Sequence, residues 1–411
     1  MHSTSPVSPV AILGWIRTAV VPRHGAFRLH QPHTLAAPLI RHLLQHAGLQ
    51  PHEIDALLLG NALGAGGNPA RLAALAADLP TETRALSIDT QCCAGLDTIN
   101  LGASLIQSGQ ADLVIAGGAE AWSRAPIRQH RPLHPDEKAI PFERPACTPW
   151  PDRDPDPLQA AAHHASQHPW TRSAQDRYAQ QSHLRAVQAR SQLQSEILPI
   201  DGIDTDAYPR HLSDAHLARM PVVVPAHTDD TGIDCSLSRL AISPQADGAA
   251  FILLASEAAC QRLQRQPAAW WIDGLQRGGD PTQPMRCALP AARQLLQRHQ
   301  LQAHDLDTLE LHDAFSVQGL ECAAVLDIDP SRINPGGGGI ARGHPIGASG
   351  AIALVRTLAT LHAQTPHTKE NRGNANAPRY GLACIAAVGG LGTATLVSLT
   401  RPADRFRVRR P

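Results

Sequence analysis

The chain has 411 residues, 43% of them hydrophobic and 18% charged, with Lys+Arg and Asp+Glu balanced at 36 each. That length exceeds a single small core and points to two compact units or one duplicated unit. Balanced charge excludes a long-range field that gathers nucleic acid, while leaving room for a local basic patch facing a phosphate-bearing ligand. The eight cysteines are scattered apart from adjacent Cys92 and Cys93, and no C-x-x-C pair occurs. Reduced thiols in a cytoplasmic setting are therefore expected, rather than disulfides or structural zinc. The 22 His include no H-E-x-x-H or comparable spacing, so no metal is expected. Met1–Pro9 lacks a charged-then-apolar leader pattern, and no apolar run reads as membrane-spanning.

In chain order, Val10–Ile16 predicts a first strand and Leu35–Ala47 a helix closed by Gly48. Ala56–Leu59 predicts a short strand running into the Gly-rich loop Gly60–Asn68, and Pro69–Ala77 a helix with Pro in its first turn. Ala85–Ile88 predicts a strand leading to Asp89-Thr-Gln-Cys-Cys-Ala-Gly-Leu96, which opens a helix to about Gln107 and Gly109. Asp112–Ala116 then predicts a buried strand ending at Gly117-Gly118. Alternating strands and helices argue for an α/β fold with a mostly parallel sheet.

From Arg124 to about Ser238, Pro, His, Arg and Asp dominate, and one helix, Arg172 to Gln194, stands out with a sparse stripe of Tyr178, Leu184, Val187 and Leu193. This stretch reads as an inserted lobe outside the sheet. Regular texture returns with Ala249–Ala255, Leu309–Leu311, a helix over Ile346–Leu361 and a strand over Leu382–Val388 that ends at Gly389-Gly390. The second half thus repeats the first: a turn with a reactive residue, a helix, a buried strand and a Gly-Gly pair. Ala116-Gly-Gly-Ala-Glu120 and Val388-Gly-Gly-Leu-Gly392 read as matching ends. The second turn, Gly336-Gly-Gly-Gly-Ile-Ala-Arg-Gly-His-Pro-Ile-Gly-Ala-Ser-Gly350, carries an imidazole where the first carries a thiol. Unpaired N–H groups and the dipole at a helix N-terminus favour a thiolate, and equally the oxyanion of a thioester under attack.

These motifs resemble the thiolase family over nearly the full chain. Arg17-Thr18 resembles its R-T opening, and Gly60-Asn61 through Ala65-Gly-Gly-Asn-Pro-Ala-Arg71 its G-N…A-G…N-P-A-R segment. Cys92-Cys-Ala-Gly95 resembles the nucleophile motif C-[GA]-S-G, and Gly117-Gly-Ala-Glu-Ala-Trp-Ser-Arg-Ala-Pro126 the G-G-x-E-x-M-S-x-A-P segment. His312-Asp-Ala-Phe315 is similar to the H-D-x-F form of sterol-carrier-protein-type thiolases, and Gly343-His-Pro-Ile-Gly-Ala-Ser-Gly350 to G-H-P-x-G-x-[ST]-G. The resemblance implies duplicated βαβαβαββ halves in an α/β/α/β/α arrangement with an inserted loop lobe. Its parts would be 1–123, the lobe 124–238, a return at 239–260 and a C-terminal half 261–411. It implies Cys92 as nucleophile, with His344 as base or hydrogen-bond donor and His312 as a second donor to an oxyanion. Gly390 and its neighbours would offer a backbone N–H. Ser243, and Arg124 with Arg128, His130, Arg131 and His134, are candidates for contact with coenzyme A. No cofactor is expected beyond acyl-CoA as substrate. The partners expected are an acyl-CoA or acyl-carrier-protein thioester and a second copy in a homodimer or tetramer, without nucleic acid or membrane.

Two departures bear on the acceptor. The family's second active-site Cys aligns with Ala386, and Cys384 lies two residues earlier. A two-residue offset keeps the strand face but moves the thiol by roughly 7 Å, so that Cys is either missing or supplied by a local bulge. The family's A-G-N-A-S-x-x-x-D-G keeps Ser243 and Asp247, with Ala241 in place of Asn. The reading is an acyltransferase that forms a Cys92 acyl-enzyme and passes the acyl group to a carbon or thiol. The alternatives are a degradative 3-ketoacyl-CoA thiolase, a ketosynthase-like decarboxylative condensation, and a non-catalytic subunit.

Overall fold

A computed structural model describes residues 9–64, 66–225, 232–363 and 379–401. Ala65 of the Gly-rich loop and Met1–Ser8 lie outside the described residues. β1 (Val10–Arg17) is buried on both faces, which its apolar run requires, and it stands near the middle of the main sheet. α1 (Pro32–Ala47) begins three residues earlier than its apolar pattern and ends at Gly48 in the left-handed region, φ 63°. β2 (Ala56–Gly60), α2 (Pro69–Ala76), β3 (Arg84–Ile88), α3 (Ala94–Gln107) and β4 (Leu113–Ala121) follow. Asn68 caps α2 by accepting from the Arg71 N–H.

After the lobe come β5 (Ala246–Ser256), β6 (Ala269–Gly278), α6 (Ala288–Arg298) and β7 (Leu306–His312). The chain closes with α7 (Ser316–Leu326), α8 (Ser349–Ala363), β8 (Tyr380–Ala387) and β9 (Leu391–Ser398). The lobe contributes α4 (Pro157–Gln167), capped by Asp156, and α5 (Arg172–Gln188), capped by Thr171.

The strands run in the order β7-β8-β9-β6-β1-β5-β4-β2-β3. From the β6–β1 junction outward, the two halves read alike, β6-β9-β8-β7 against β1-β5-β4-β2. The junction is short, pairing only Val10–Ile12 with Ala269–Trp271. The sheet is mixed rather than mostly parallel: β2–β3, β2–β4 and β7–β8 are parallel, and the remaining neighbours antiparallel. The long excursion through the lobe returns β5 antiparallel to β4, and β8–β9 is a hairpin; neither is a helical crossover.

Three helical layers enclose the strands. α1, α2 and α6 cover the outer faces, and α3 and α8 pack against each other between the halves. α8 is buried along almost its whole circumference, as a central helix must be. By length and composition alone, Ile346–Ala363 would pass for a membrane span, contrary to the expectation from sequence; 78% of that window is buried inside the fold. The lobe likewise differs from expectation. It holds a second long helix, α4, and the buried face of α5 is Gln175, Asp176, Ala179, Ser182, His183 and Ala186 rather than the apolar stripe. It is fastened by buried ion pairs: Arg17 meets Glu196 and Asp206 at 2.7 Å each, and Arg356 of α8 meets Glu196 at 2.9 Å.

The Gly-Gly pairs are not equivalent. Gly117-Gly118 lie inside β4, whereas Gly389 and Gly390, at φ 78° and 80°, form the turn between β8 and β9. The repeat is carried by the strand order and helix placement, not by those dipeptides.

Candidate active site

Two glycine contacts bring the reactive turns together. A side chain on Gly118 would sit 2.0 Å from the Gly347 carbonyl, and one on Gly95 2.6 Å from the same atom. Only hydrogen at these positions lets the start of α3 lie against the loop before α8. Gln91 precedes Cys92 in the left-handed region, φ 54°, its N–H held by Asp89 Oδ1 at 2.9 Å. A non-glycine in that conformation carries roughly 1–2 kcal/mol of strain.

Cys92 Sγ lies 3.2 Å from His344 Nε2. His344 Nδ1 lies 2.7 Å from Ser349 Oγ, whose own proton goes to the Pro345 carbonyl at 3.0 Å. Ser349 therefore accepts from Nδ1–H, which leaves the Nε2 lone pair facing the thiol. Trp122 Nε1 donates to the His344 carbonyl at 3.0 Å and fixes the backbone behind the ring. Burial pushes the Cys92 thiol up to about 12, although its own N–H and that of Val388 favour the thiolate. Burial also pulls His344 down to about 4. With shifts in those directions, the resting pair at neutral pH is thiol and neutral imidazole, and the proton moves only as a new bond forms.

The His312 ring packs on His344, with centroids 4.3 Å apart. Burial, then the charges of His344 and Arg342, hold His312 far below the usual histidine range. Its Nε2 is buried and has no hydrogen-bond partner among the described residues. Asp313 does not face the thiol: Oδ2 accepts from Tyr178 Oη at 2.7 Å and Oδ1 from the Ile340 N–H at 3.3 Å, orienting the turn before His344.

The other candidates separate. The backbone N–H set against the Cys92 thiol is that of Val388, while Gly390, two residues on, accepts from the Gly279 N–H at 2.7 Å. Ser243 Oγ donates to the Gly339 carbonyl at 2.6 Å and so pins the loop. Arg124 is exposed, Arg128 donates to the Ala62 carbonyl at 3.0 Å, and His130 stacks on Phe142 with centroids 4.4 Å apart. Arg131 and His134 are exposed. Cys93 is fully buried, its Sγ 3.6 Å from the Ile385 carbonyl. The β8–β9 register runs unbroken from Tyr380↔Ser398 to Ala387↔Leu391, so no bulge carries Cys384 toward position 386. Cys384 instead packs in the outer core within electrostatic reach of Cys322, and burial pushes its thiol up to about 12.

Glu120 was not among the residues singled out, although it stands in the G-G-x-E segment. It is buried and accepts from Asn61 Nδ2 at 2.7 Å, the Ala62 N–H at 2.9 Å and the Gly347 N–H at 3.0 Å. One carboxylate thus clamps the Gly60–Asn68 loop to the His344 loop. Burial nevertheless lifts it to about 7. A lone acidic residue inside an apolar strand was the available signal. Ser349 and Val388 carried no such mark, since their roles arise from where the turns meet.

The chain is similar to known proteins over most of its length. The thiolase N-terminal domain matches residues 10–258 and the thiolase C-terminal domain residues 266–399. Two relatives carry the name "Putative acetyl-CoA C-acetyltransferase". YhfS of Bacillus subtilis is 33% identical over 388 residues, 92% of this chain and 96% of its own length. VraB of Staphylococcus aureus is 31% identical over 389 residues, with the same coverage. Among solved structures, the Acat5 thiolase of Ascaris suum in complex with coenzyme A aligns with a TM-score of 0.83 at 26% identity, covering 95% of this chain and 99% of that one. The Bacillus anthracis acetyl-CoA acetyltransferase aligns at 0.82 and 28%, covering 96% and 100%.

Proposed function

Because the chain belongs to the thiolase family and is an acyltransferase of that superfamily, we propose that it takes an acyl group from an acyl-CoA onto Cys92 and passes it to a second nucleophile. The observation that carries this reading is the 3.2 Å contact between Cys92 Sγ and His344 Nε2 at the start of α3. In the first half-reaction Sγ attacks the thioester carbon while its proton passes to His344 Nε2. The N–H groups of Cys92 and Val388 receive the oxyanion. The carbon–sulfur bond to coenzyme A breaks, and the departing thiolate takes the proton back from His344. The acceptor then attacks the Cys92 thioester, and its own carbonyl oxygen is held by the unpartnered His312 Nε2.

Ala386 decides between acceptors. A carbon acceptor with an ordinary α-proton needs a base that Ala386 cannot be, and Cys384 is held two residues further back along the same strand face, in the core. Decarboxylative condensation, or transfer to a thiol or an already activated carbon, needs no such base. The relatives' C-acetyltransferase name favours carbon, so we place decarboxylative carbon–carbon formation first; degradative thiolysis comes second, because the α-carbanion it releases from a 3-ketoacyl-CoA has no proton donor at Ala386.

We also assign a homodimer. β3 is an open sheet edge with Leu86 43% exposed, flanked by exposed Leu72 and Leu75 of α2 and Leu101 of α3. A second copy would cover this edge. Sedimentation velocity should give twice the chain mass, and a monomer at micromolar concentration would remove this assignment. No disulfide joins the eight cysteines, which suits the reducing cytoplasm we propose as its compartment.

Intact-protein mass spectrometry with acetyl-, malonyl- and longer acyl-CoAs tests the main reading. A mass gain that vanishes in Cys92→Ala supports it, and its chain length names the donor. No gain with any acyl-CoA sinks coenzyme A as carrier, and acyl-carrier-protein thioesters become the next donor panel.

A further inference from the structure

Away from Cys92, the lobe and the C-terminal half share a second polar cluster. His164 of α4 and His168, the residue that caps its C-terminus, lie one turn apart, with ring centroids 4.6 Å apart. Glu321, from α7, meets them there. One ligand-type atom from each of the three lies within 4.8 Å of the others. The sequence reading, which expected no metal, did not single out these histidines; the fold brings the carboxylate to them from a distant helix.

We propose that His164, His168 and Glu321 form a binding site for a divalent transition cation of the zinc class. His164 Nε2 and Glu321 Oε2 are 2.9 Å apart, with side chains 5% and 6% exposed. With a proton on His164 Nε2 the contact is an ion pair, although bent away from good hydrogen-bond geometry. With His164 neutral, two buried lone-pair atoms converge, and a cation between them satisfies both. The other carboxylate oxygen, Oε1, is held by Arg286 Nε at 2.9 Å. That is the kind of outer contact that orients a ligating carboxylate and leaves its second oxygen for the metal. His168 is exposed and gives the ion an entry path.

Two imidazoles and one carboxylate suit zinc and its borderline neighbours. Calcium and magnesium prefer oxygen donors and more of them. Arg286 and Glu321 also border an open cavity of about 730 Å³. The same buried side of α4 carries Ala161 and Ala165, which pack with Met285, Phe315 and Val317. Phe315 lies three residues after His312, so the ion would staple the lobe to the segment that follows that histidine. The site therefore acts on how firmly the lobe is held and not on the acyl chemistry, and it stands whatever the donor of the reaction proves to be.

The test uses the full-length protein freed of metal with a chelator that is then removed. Zinc is titrated in competition with a chromogenic zinc indicator, and thermal unfolding is followed with and without zinc. Wild type should withdraw one equivalent from the indicator and melt higher with zinc. His168→Gln, at an exposed position, should keep the zinc-free melting temperature, lose the zinc-induced rise and bind at least about 10-fold more weakly. Glu321→Gln should lose the same rise. Failure of wild type to compete with the indicator would overturn the site. Equal uptake by wild type and both variants would overturn it too, by placing the zinc on other His or Cys residues.

Discussion

α3 and α8 hold equivalent places in the two halves, side by side between the strand layers, yet they differ in what surrounds them. α3 buries one stripe, including Leu96, Ile99, Ala103 and Ile106, and keeps Leu101 at the surface. α8 is buried nearly all round. The turn before α3 carries the thiol, and the turn before α8 the imidazole that faces it. In the proposed reaction the first half supplies the nucleophile. The enclosed half supplies the base, and packing with the Ser349 contact sets the tautomer proposed for it. Duplication thus supplies the position and divergence the chemistry.

Removing the proposed nucleophile should cost most. Cys92→Ala should lower acyl transfer on the order of 10⁴-fold or more and abolish the covalent adduct, with circular dichroism unchanged. A surviving adduct would place the nucleophile elsewhere and break the pairing of the turns. His344→Ala comes next, at about 10²–10⁴-fold in the acylation rate, the usual share of a general base. Its pH dependence sharpens the contrast. Because burial lowers His344 to about 4, the acid limb of kcat/KM for acylation should fall near pH 4 rather than near 6.5. Protonation at low pH removes the lone pair that accepts the thiol proton. The same shift works against the fold as pH falls, from about 6.5, where the unfolded chain takes the proton, to about 4, where the native chain does. A limb near 6.5 would mean that His344 is solvated in the working enzyme.

His312→Ala should be milder, about 10²–10³-fold in the transfer step, with adduct formation left largely intact. Single-turnover acylation measured beside steady-state transfer separates the two; equal losses in both would place His312 in the first half-reaction instead. Glu120→Gln should act on stability more than on rate. Its amide would turn N–H groups toward donors that the carboxylate now accepts from, at a cost of about 1–3 kcal/mol in urea unfolding. No change in the unfolding midpoint would mean that the loop clamp carries no weight.

Much of the scaffold was legible because its signals are local. Apolar runs such as Val10–Ile16, the helix-closing Gly48 and the first-turn Pro69 lie within a few residues of what they decide. The Cys92 and His344 turns were legible as well, since helix starts with glycine beside a reactive residue are short-range patterns. What sequence could not supply was relative placement. The antiparallel return of β5 depends on a connection through the whole lobe. The buried polar face of α5 answers partners elsewhere in the chain, Asp313 and the Gly337–Gly338 turn among them. Val388 rather than Gly390 facing the thiol is settled by where the β8–β9 turn begins, a one- or two-residue matter that motif reading resolves poorly.

The smallest expected effect tests the remaining asymmetry between the halves. Cys384→Ala should leave acylation and transfer within about twofold and cost on the order of 1 kcal/mol, because it removes one buried sulfur from the outer core. Its complement is Ala386→Cys, which restores a thiol on the same strand face, about 7 Å nearer the turn. If the missing base limits the choice of acceptor, Ala386→Cys should raise exchange of the α-protons of acetyl-CoA into deuterated water, while Cys384→Ala leaves that exchange at background. Exchange already present in wild type and lost in Cys384→Ala would show that the core thiol reaches the substrate after all. The acceptor would then be an unactivated carbon, and the regular register of β8 would have to open during turnover.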